Sequence, residues 1–384
     1  MDTLSNNQVS HLSHKAINAL CSALLTFLLT TDQYYEAKAT VLKTLNWAAS
    51  TTSAQEAAIN NLECKLAISE QGLGNLSSVI GITRNVFLAR VRTLGGSHSK
   101  TLHSLNNLAL VYQDQGLHDK AERYHRNALS LKEMTFGDTH LDTLITVNNL
   151  GVTLQSQKQH RAAELMFHRS LSGRLRVLAP DCLEVMASQS NLGVVLHLQG
   201  RLDEAEELHR SVFNGRRRTL GNMHHETLKS KGNLALTIND KGNHSQAETL
   251  LRSILNAYQH TLGNLHLDTL KTKENLAMVL HDQSKFPAAE RIVSSILPLK
   301  TSAYGPAHTN TLETMEFLCI LLQHQRKYVE AVEVGSRVRD LRVRHLGHDH
   351  TDSRRSIQHL GKLEEDLNEF ALAGHLSTQT YVYG

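Results

Sequence analysis

The chain has 384 residues, with 40 basic side chains against 37 acidic ones, 4 prolines and 5% aromatic residues. A net charge of +3 gives no reason to expect nucleic-acid binding, and so few prolines and aromatics argue against a β-sandwich or barrel. A single core seldom grows to this length, which leaves two or three domains or one open repeat array.

In chain order, residues 1–10 are expected to be a flexible N-terminus. Ala16 to Thr31 (AINALCSALLTFLLTT) is an apolar stretch of about 16 residues, short of the roughly 20 that a membrane span needs. Only Lys15 precedes it as a firm positive charge and no clear small-residue cleavage site follows. It therefore reads as the first helix of a repeat, and no membrane partner is expected. Cys21, Cys64, Cys182 and Cys319 lie far apart without CxxC spacing, which suggests neither a zinc ribbon nor a redox pair and fits a reducing, cytoplasmic setting.

From residue 95 the chain repeats with a period of 42. Gly95, Gly137, Ala179, Gly221, Gly263, Gly305 and Gly347 hold one register, and three residues on stand His98, His140, Cys182, His224, His266, His308 and His350. Leu108, Leu150, Leu192, Leu234, Leu276 and Leu318 hold a third register, and Ala121, Ala163, Ala205, Ala247, Ala289 and Ala331 a fourth. This defines six repeats: 95–136, 137–178, 179–220, 221–262, 263–304 and 305–346. The period runs backwards in weaker form over 11–94 as two degenerate repeats, and forwards over 347–384 as a capping helix and tail. Degeneracy at both ends suits repeats that have a neighbour on one side only.

Each repeat reads as two helices. In 95–136, Leu102, Leu105, Leu108, Ala109 and Tyr112 recur at three and four residues as an amphipathic helix A, which Gly116 ends. Helix B carries Ala121, Tyr124, Ala128 and Leu131. Pro180 and Pro306 fall between repeats, Pro287 opens a helix B, and Pro298 is expected near that helix's end. Pairs that cannot bury their apolar faces alone must stack, so the predicted fold is all-α: a right-handed solenoid of about eight helix pairs plus a C-terminal capping helix.

Asn106 to Leu144 (NNLALVYQDQGLHDKAERYHRNALSLKEMTFGDTHLDTL) resembles the kinesin-light-chain type of tetratricopeptide repeat, with its NLA, turn Gly, paired EA and LGxxH elements. It is similar also to the arrays of fungal stand-alone proteins and NB-ARC receptors. The resemblance is strong over 95–316 and weaker over 11–94 and 317–370. Neither a heptad coiled coil nor a GxxxxGK[ST] phosphate loop is present, so a motor subunit or nucleotide-switch role is not implied. The Pro that usually follows the repeat His is absent from most repeats.

The resemblance implies a groove lined by helix A, in which one Asn per repeat binds peptide backbone. That position maps to Asn107, Asn149, Asn191, Asn233 and Asn275, whose amides offer both donor and acceptor; the rival reading is that they tie adjacent helices together. Three further sets vary between repeats, as specificity positions should. They are Asn106, Asn148, Ser190, Gly232, Glu274 and Glu316; Gln113, Gln155, His197, Asn239, His281 and Gln323; and His103, Ile145, Ala187, Lys229, Lys271 and Glu313. Apolar spots at Leu110, Val152, Val194, Leu236, Met278 and Ile320 complete the face.

The leading expectation is thus a non-enzymatic scaffold that holds a peptide segment of another protein, with no cofactor. The second is a small-molecule binder acting as a cofactor-free cyclase or isomerase, with His197, His281, Asp240 and Asp282 as its candidate catalytic groups. The six repeat histidines are expected to bind loop carbonyls, and no native metal site is expected at His345, His348 and His350. The arginines at 216–218 and at 337, 339, 342, 344, 354 and 355 read as solvated helix faces.

Overall fold

The computed structural model describes residues 76–380. The apolar stretch 16–31, Cys21, Cys64 and most of the two degenerate N-terminal repeats lie outside the described residues, as does the chain end at 381–384. Fourteen helices, and no strand, occur among the described residues. In chain order they are α1 (Leu76–Leu94), α2 (Ser99–Asp114), α3 (His118–Phe136), α4 (Leu141–Ser156), α5 (His160–Val177), α6 (Leu183–Leu198), α7 (Leu202–Leu220), α8 (His225–Asp240), α9 (His244–Thr261), α10 (Leu267–Asp282), α11 (Phe286–Tyr304), α12 (Thr309–His324), α13 (Tyr328–Leu346) and α14 (Thr351–Thr380). Even-numbered helices from α2 to α12 are helix A of a repeat, and α3 to α13 are helix B. The chain divides into two compact halves, one ending at Gln199 and the other beginning at Gly200. No described helix is long and apolar enough to cross a membrane.

Small residues set how closely the two helices of a repeat approach. In the first half Gly151 of α4 leaves space that Phe167 of α5 fills, so that a Cβ at 151 would lie 2.6 Å from the Phe167 ring. In the second half the same register holds Ala235 with Leu251, then Ala277 with Val293, then Cys319 with Gly335. The larger member moves from one helix to the other along the series, and where both are small, at Cys319 and Gly335, Leu360 and Leu363 of α14 fill the space, as close packing requires. The second half thereby builds one apolar cluster that runs from Leu228 to Leu363.

Two expectations need correcting. Leu131 is exposed, and the buried line of α3 is Ala121, His125, Ala128, Leu129 and Lys132. Pro298 lies inside α11, which continues to Tyr304. Its side chain is on the exposed face, where water can satisfy the carbonyl left without a donor.

Lys132 belongs to a feature that spacing alone did not reveal. Helix B carries a buried cation at Arg90, Lys132, Arg174, Arg216, Lys300 and Arg342, each 3–7% exposed. Every one reaches a main-chain carbonyl ten residues on and a hydroxyl fourteen residues on, in the next repeat's helix A. Lys132 Nζ donates to the Asp142 carbonyl at 3.0 Å and to Thr146 Oγ1 at 2.9 Å. Arg174 Nη1 donates to Ser188 Oγ at 2.9 Å, and Arg342 Nη1 to Ser356 Oγ at 2.7 Å. The rungs therefore cross from one repeat to the next, and their hydrogen bonds offset the cost of burying a charge.

A second ladder runs along the turns that join helix A to helix B. Gln157 donates to Glu122 at 3.0 Å in the first half. In the second, Lys241 reaches Glu206, Gln283 reaches Glu248, and Gln325 reaches Glu290, at 2.7–2.9 Å. Burial pushes the Glu248 carboxyl up, but hydrogen bonds from Lys285, Arg252 and Gln283 outweigh it and bring the group down to about 2.

Candidate binding groove

The groove face begins with how each helix A starts. The repeat histidines do not bind carbonyls. They are N-caps: Nδ1 of His98, His140, His224, His266, His308 and His350 each accepts the amide N–H two residues on, at 3.2 Å. This satisfies one of the four orphan donors of a helix start and fixes the phase of each helix A. Cys182 stands at the same register and donates instead to Glu184 Oε2 at 2.7 Å.

That phase sorts the sequence-predicted positions into two groups. Exposed on helix A are His103, Ile145, Lys229, Lys271 and Glu313, with Met278 and Ile320, while Leu110, Val152, Val194 and Leu236 are half-buried beside them. These form the accessible face. Several members of the sets at 106 and 113 bond side chains of the following repeat. Asn106 is buried and its Oδ1 accepts from Asn149, whereas Gln113 Oε1 accepts from Thr153 at 2.7 Å. Glu274 holds Lys300 and Thr314, Glu316 holds Arg342, and Gln323 donates to Asp366 at 2.5 Å.

The Asn series divides likewise. Asn107, Asn149, Asn191, Asn233 and Asn275 are all half-buried. Asn149 Nδ2 donates to Asn106 at 3.4 Å and Asn191 Nδ2 to Asn148 at 3.0 Å, which is the tie between adjacent helices. The side-chain amides of Asn233 and Asn275 bond no other described residue. Both line a pocket of about 180 Å³ between α8 and α10, together with Lys229, Lys271, Gly232 and Tyr258.

Of the four candidate catalytic groups, three belong to one network in the second half. His281 Nδ1 lies 3.1 Å from Asp282 Oδ1, while Asp282 Oδ2 accepts from Asn239 Nδ2 at 2.7 Å. Asn239 also donates to Asp240 at 3.3 Å and meets His244 Nδ1 at 2.8 Å. The other ring nitrogen of His281 is buried without a partner, against Phe286, Phe317 and His324. The imidazole thus faces an aromatic wall; the hydrogen bonds join two successive repeats, and the ring contacts to Phe317 and His324 reach a third. His197 is half-buried in the first half. Gln155 is half-buried on α4.

No group of three or more metal-ligating side chains occurs among the described residues, and His350 serves as an N-cap. The arginine clusters are not uniformly solvated, because Arg216 and Arg342 are buried rungs. Among the others, Arg354 pairs with Asp349 at 3.2 Å and Arg339 with Asp340 at 2.8 Å.

No curated protein matches the sequence. Among solved structures, the chain is similar to the apo form of the quorum sensor NprR from B. thuringiensis, with a TM-score of 0.63 and 14% identity over 87% of this chain and 90% of that one. It is similar to a Rap protein complexed with competence and sporulation factor, with a TM-score of 0.52 and 10% identity over 92% and 99%. A Podosopora anserina putative kinesin light chain with TPR-like repeats is 22% identical over 54% of this chain and 98% of that one, with a TM-score of 0.46. At such identities the first two likenesses speak to fold alone. The tetratricopeptide repeat model matches residues 90–176, 184–260 and 226–302, more than half of the chain. The chain belongs to the tetratricopeptide repeat family.

Proposed function

We propose that this protein is a binding module that holds an extended segment of a partner protein against its helix A face. The observation that carries this reading is the free pair of amides at Asn233 and Asn275. Each offers a donor and an acceptor one repeat apart, and extended peptide presents alternating groups that such a pair can hold. Lys229 and Lys271 lie one helical turn before them on the same face, and Leu236 and Met278 follow. The similar Rap protein was solved with a factor bound, which supports the same use of the fold here.

The test is an affinity comparison on a partner segment selected from a displayed peptide library. Asn233→Ala with Asn275→Ala should weaken binding by about 1–3 kcal/mol, because two hydrogen bonds are lost at a partly buried site. Unfolding should be unchanged, since neither amide is tied to the protein. Unchanged affinity in the double variant would remove these residues from the groove. Asn149→Ala is the contrasting case and should lower stability by about 1 kcal/mol.

A further inference from the structure

The buried-cation register is broken once among the described repeats. Between Arg216 and Lys300 it holds Tyr258. The partner position is altered in the same repeat: where Glu274 and Glu316 stand in the next two repeats, residue 232 is glycine. The following rung shows what is missing. There Glu274 accepts from Lys300 Nζ and from Thr314 Oγ1, the latter at 2.9 Å. Shifted by one repeat, that trio becomes Gly232, Tyr258 and Thr272, and all three line the 180 Å³ pocket. Two hydrogen-bonding side chains remain, and the carboxylate between them is absent.

Other donors point to the same place. Asn149 and Asn191 each donate to the side chain 43 residues before them. For Asn275 that residue is Gly232, which has no side chain to accept. Lys229 and Lys271 stand in the pocket lining; Lys229 lies 3.6 Å from Glu226, and Lys271 forms no ion pair with a described residue. Burial, with Asp268 and Glu226 nearby, pushes the Tyr258 hydroxyl up to about 12, so it stays protonated and able to donate. Leu228, Leu236, Leu251 and Ile254 form the apolar part of the wall, and the Asp268 carboxylate, which also lines the pocket, faces His225 and His266 at 3.6 and 3.5 Å.

We infer that this pocket binds a carboxylate on a short apolar stem, which occupies the place that Glu274 and Glu316 fill in the next two repeats. Tyr258 and Asn275 donate to it, Thr272 does so by turning its hydroxyl from the Asp268 carbonyl, just as Thr314 stands between the Asn310 carbonyl and Glu274, and the two lysines supply its countercharge. At about 180 Å³ the pocket is below the roughly 300–1,000 Å³ of sites that enclose a whole drug-sized ligand, and it suits a group the size of an acidic side chain. The carboxylate can belong to a free small acid or to an Asp or Glu of a segment in the groove, and only the second source rests on the function proposed above.

Calorimetric titration of the full chain separates these. The probes are hexanoate, its uncharged counterpart hexanamide, and a blocked Ala-Ala-Glu-Ala-Ala peptide with its Gln analogue. The variant is Gly232→Glu, which supplies the carboxylate in cis; a Cβ at 232 meets nothing within 4 Å, so the helix accepts it. Hexanoate or the Glu peptide should bind at least tenfold more tightly than its neutral analogue, and Gly232→Glu should abolish that preference. Hexanoate binding that disappears in the variant, with no peptide bound, supports the pocket with a free acid as its source and counts against the peptide groove. Equal binding of Glu and Gln peptides, unchanged in Gly232→Glu, overturns the pocket while leaving the groove intact. Failure of both acids to bind at about 10 mM, far above any useful affinity, also overturns it.

Discussion

His125 lies on the apolar line of α3, is 0% exposed, and neither ring nitrogen has a hydrogen-bond partner. Burial, reinforced by the nearby Lys132 ammonium, pulls its pKa from 6.5 down to about 4, so the folded state holds it neutral. The folded value is the lower one. Unfolded chains therefore bind the extra proton first as pH falls, and the protein loses stability from about pH 6.5 downward, levelling off near pH 4. Between pH 7.5 and 5.0 the loss works out at about 2 kcal/mol, from 1.36 kcal/mol for each unit separating pH 5 from the unfolded value, less the small fraction protonated in the fold. Leu251 occupies the same register in the second half opposite Ala235, just as His125 stands opposite Ala109, so His125→Leu is a substitution the repeat already accommodates. Denaturant unfolding of both proteins at the two pH values, followed by far-UV circular dichroism, measures the difference. Repeat arrays need not unfold as one unit, so hydrogen exchange over 118–136 serves as the local readout. The variant should be less acid-sensitive than the parent by about 2 kcal/mol. Identical pH dependence would mean that His125 is hydrated or already paired, and the argument from burial would fall.

Three other outcomes follow from the packing and the rungs. Gly151→Ala forces a methyl against Phe167 and should cost about 1–3 kcal/mol, largely recovered by adding Phe167→Leu, as thermal unfolding of the single and double variants would show. Arg342→Met leaves the Glu316 carboxylate without its cation and should destabilise by about 3 kcal/mol, whereas Arg342→Met with Glu316→Gln should cost clearly less in the same denaturation assay. His308→Ala removes a cap and should cost about 1 kcal/mol, while His308→Ser should restore most of it.

The period and the helix pairs were legible because glycine at the positive-φ turn, small residues between helices and leucine in the core are each demanded at a fixed place. Gly137, at φ 91°, is such a position, since an L side chain there is strained. The polar positions were harder to place. Asn106 and Asn107 are adjacent in sequence, yet one is buried toward the next repeat and the other half-buried nearer the groove, because 100° of helix separates them. Without the helix phase, a varied polar residue on either flank looks like a specificity position. Arginines 216 and 342 read as solvent-facing for the same reason, although the period of 42 that they share with Arg90 and Arg174, matched by Ser fourteen residues on, was there to be counted. The pocket at Gly232 becomes visible only when a missing rung is compared with its neighbours.

Because every rung joins positions at constant offsets, copying any 42-residue stretch carries along all the donors and acceptors needed to join it to its copies, wherever the copy begins. Lengthening such a chain by whole repeats is mechanically simple, while altering one member of a rung strands a partner in the adjoining repeat. Growth by duplication and resistance to piecemeal change are then two results of the same arrangement. The repeat 221–262 differs from the next two at both Gly232 and Tyr258, so neither a buried cation nor its carboxylate is left there without the other.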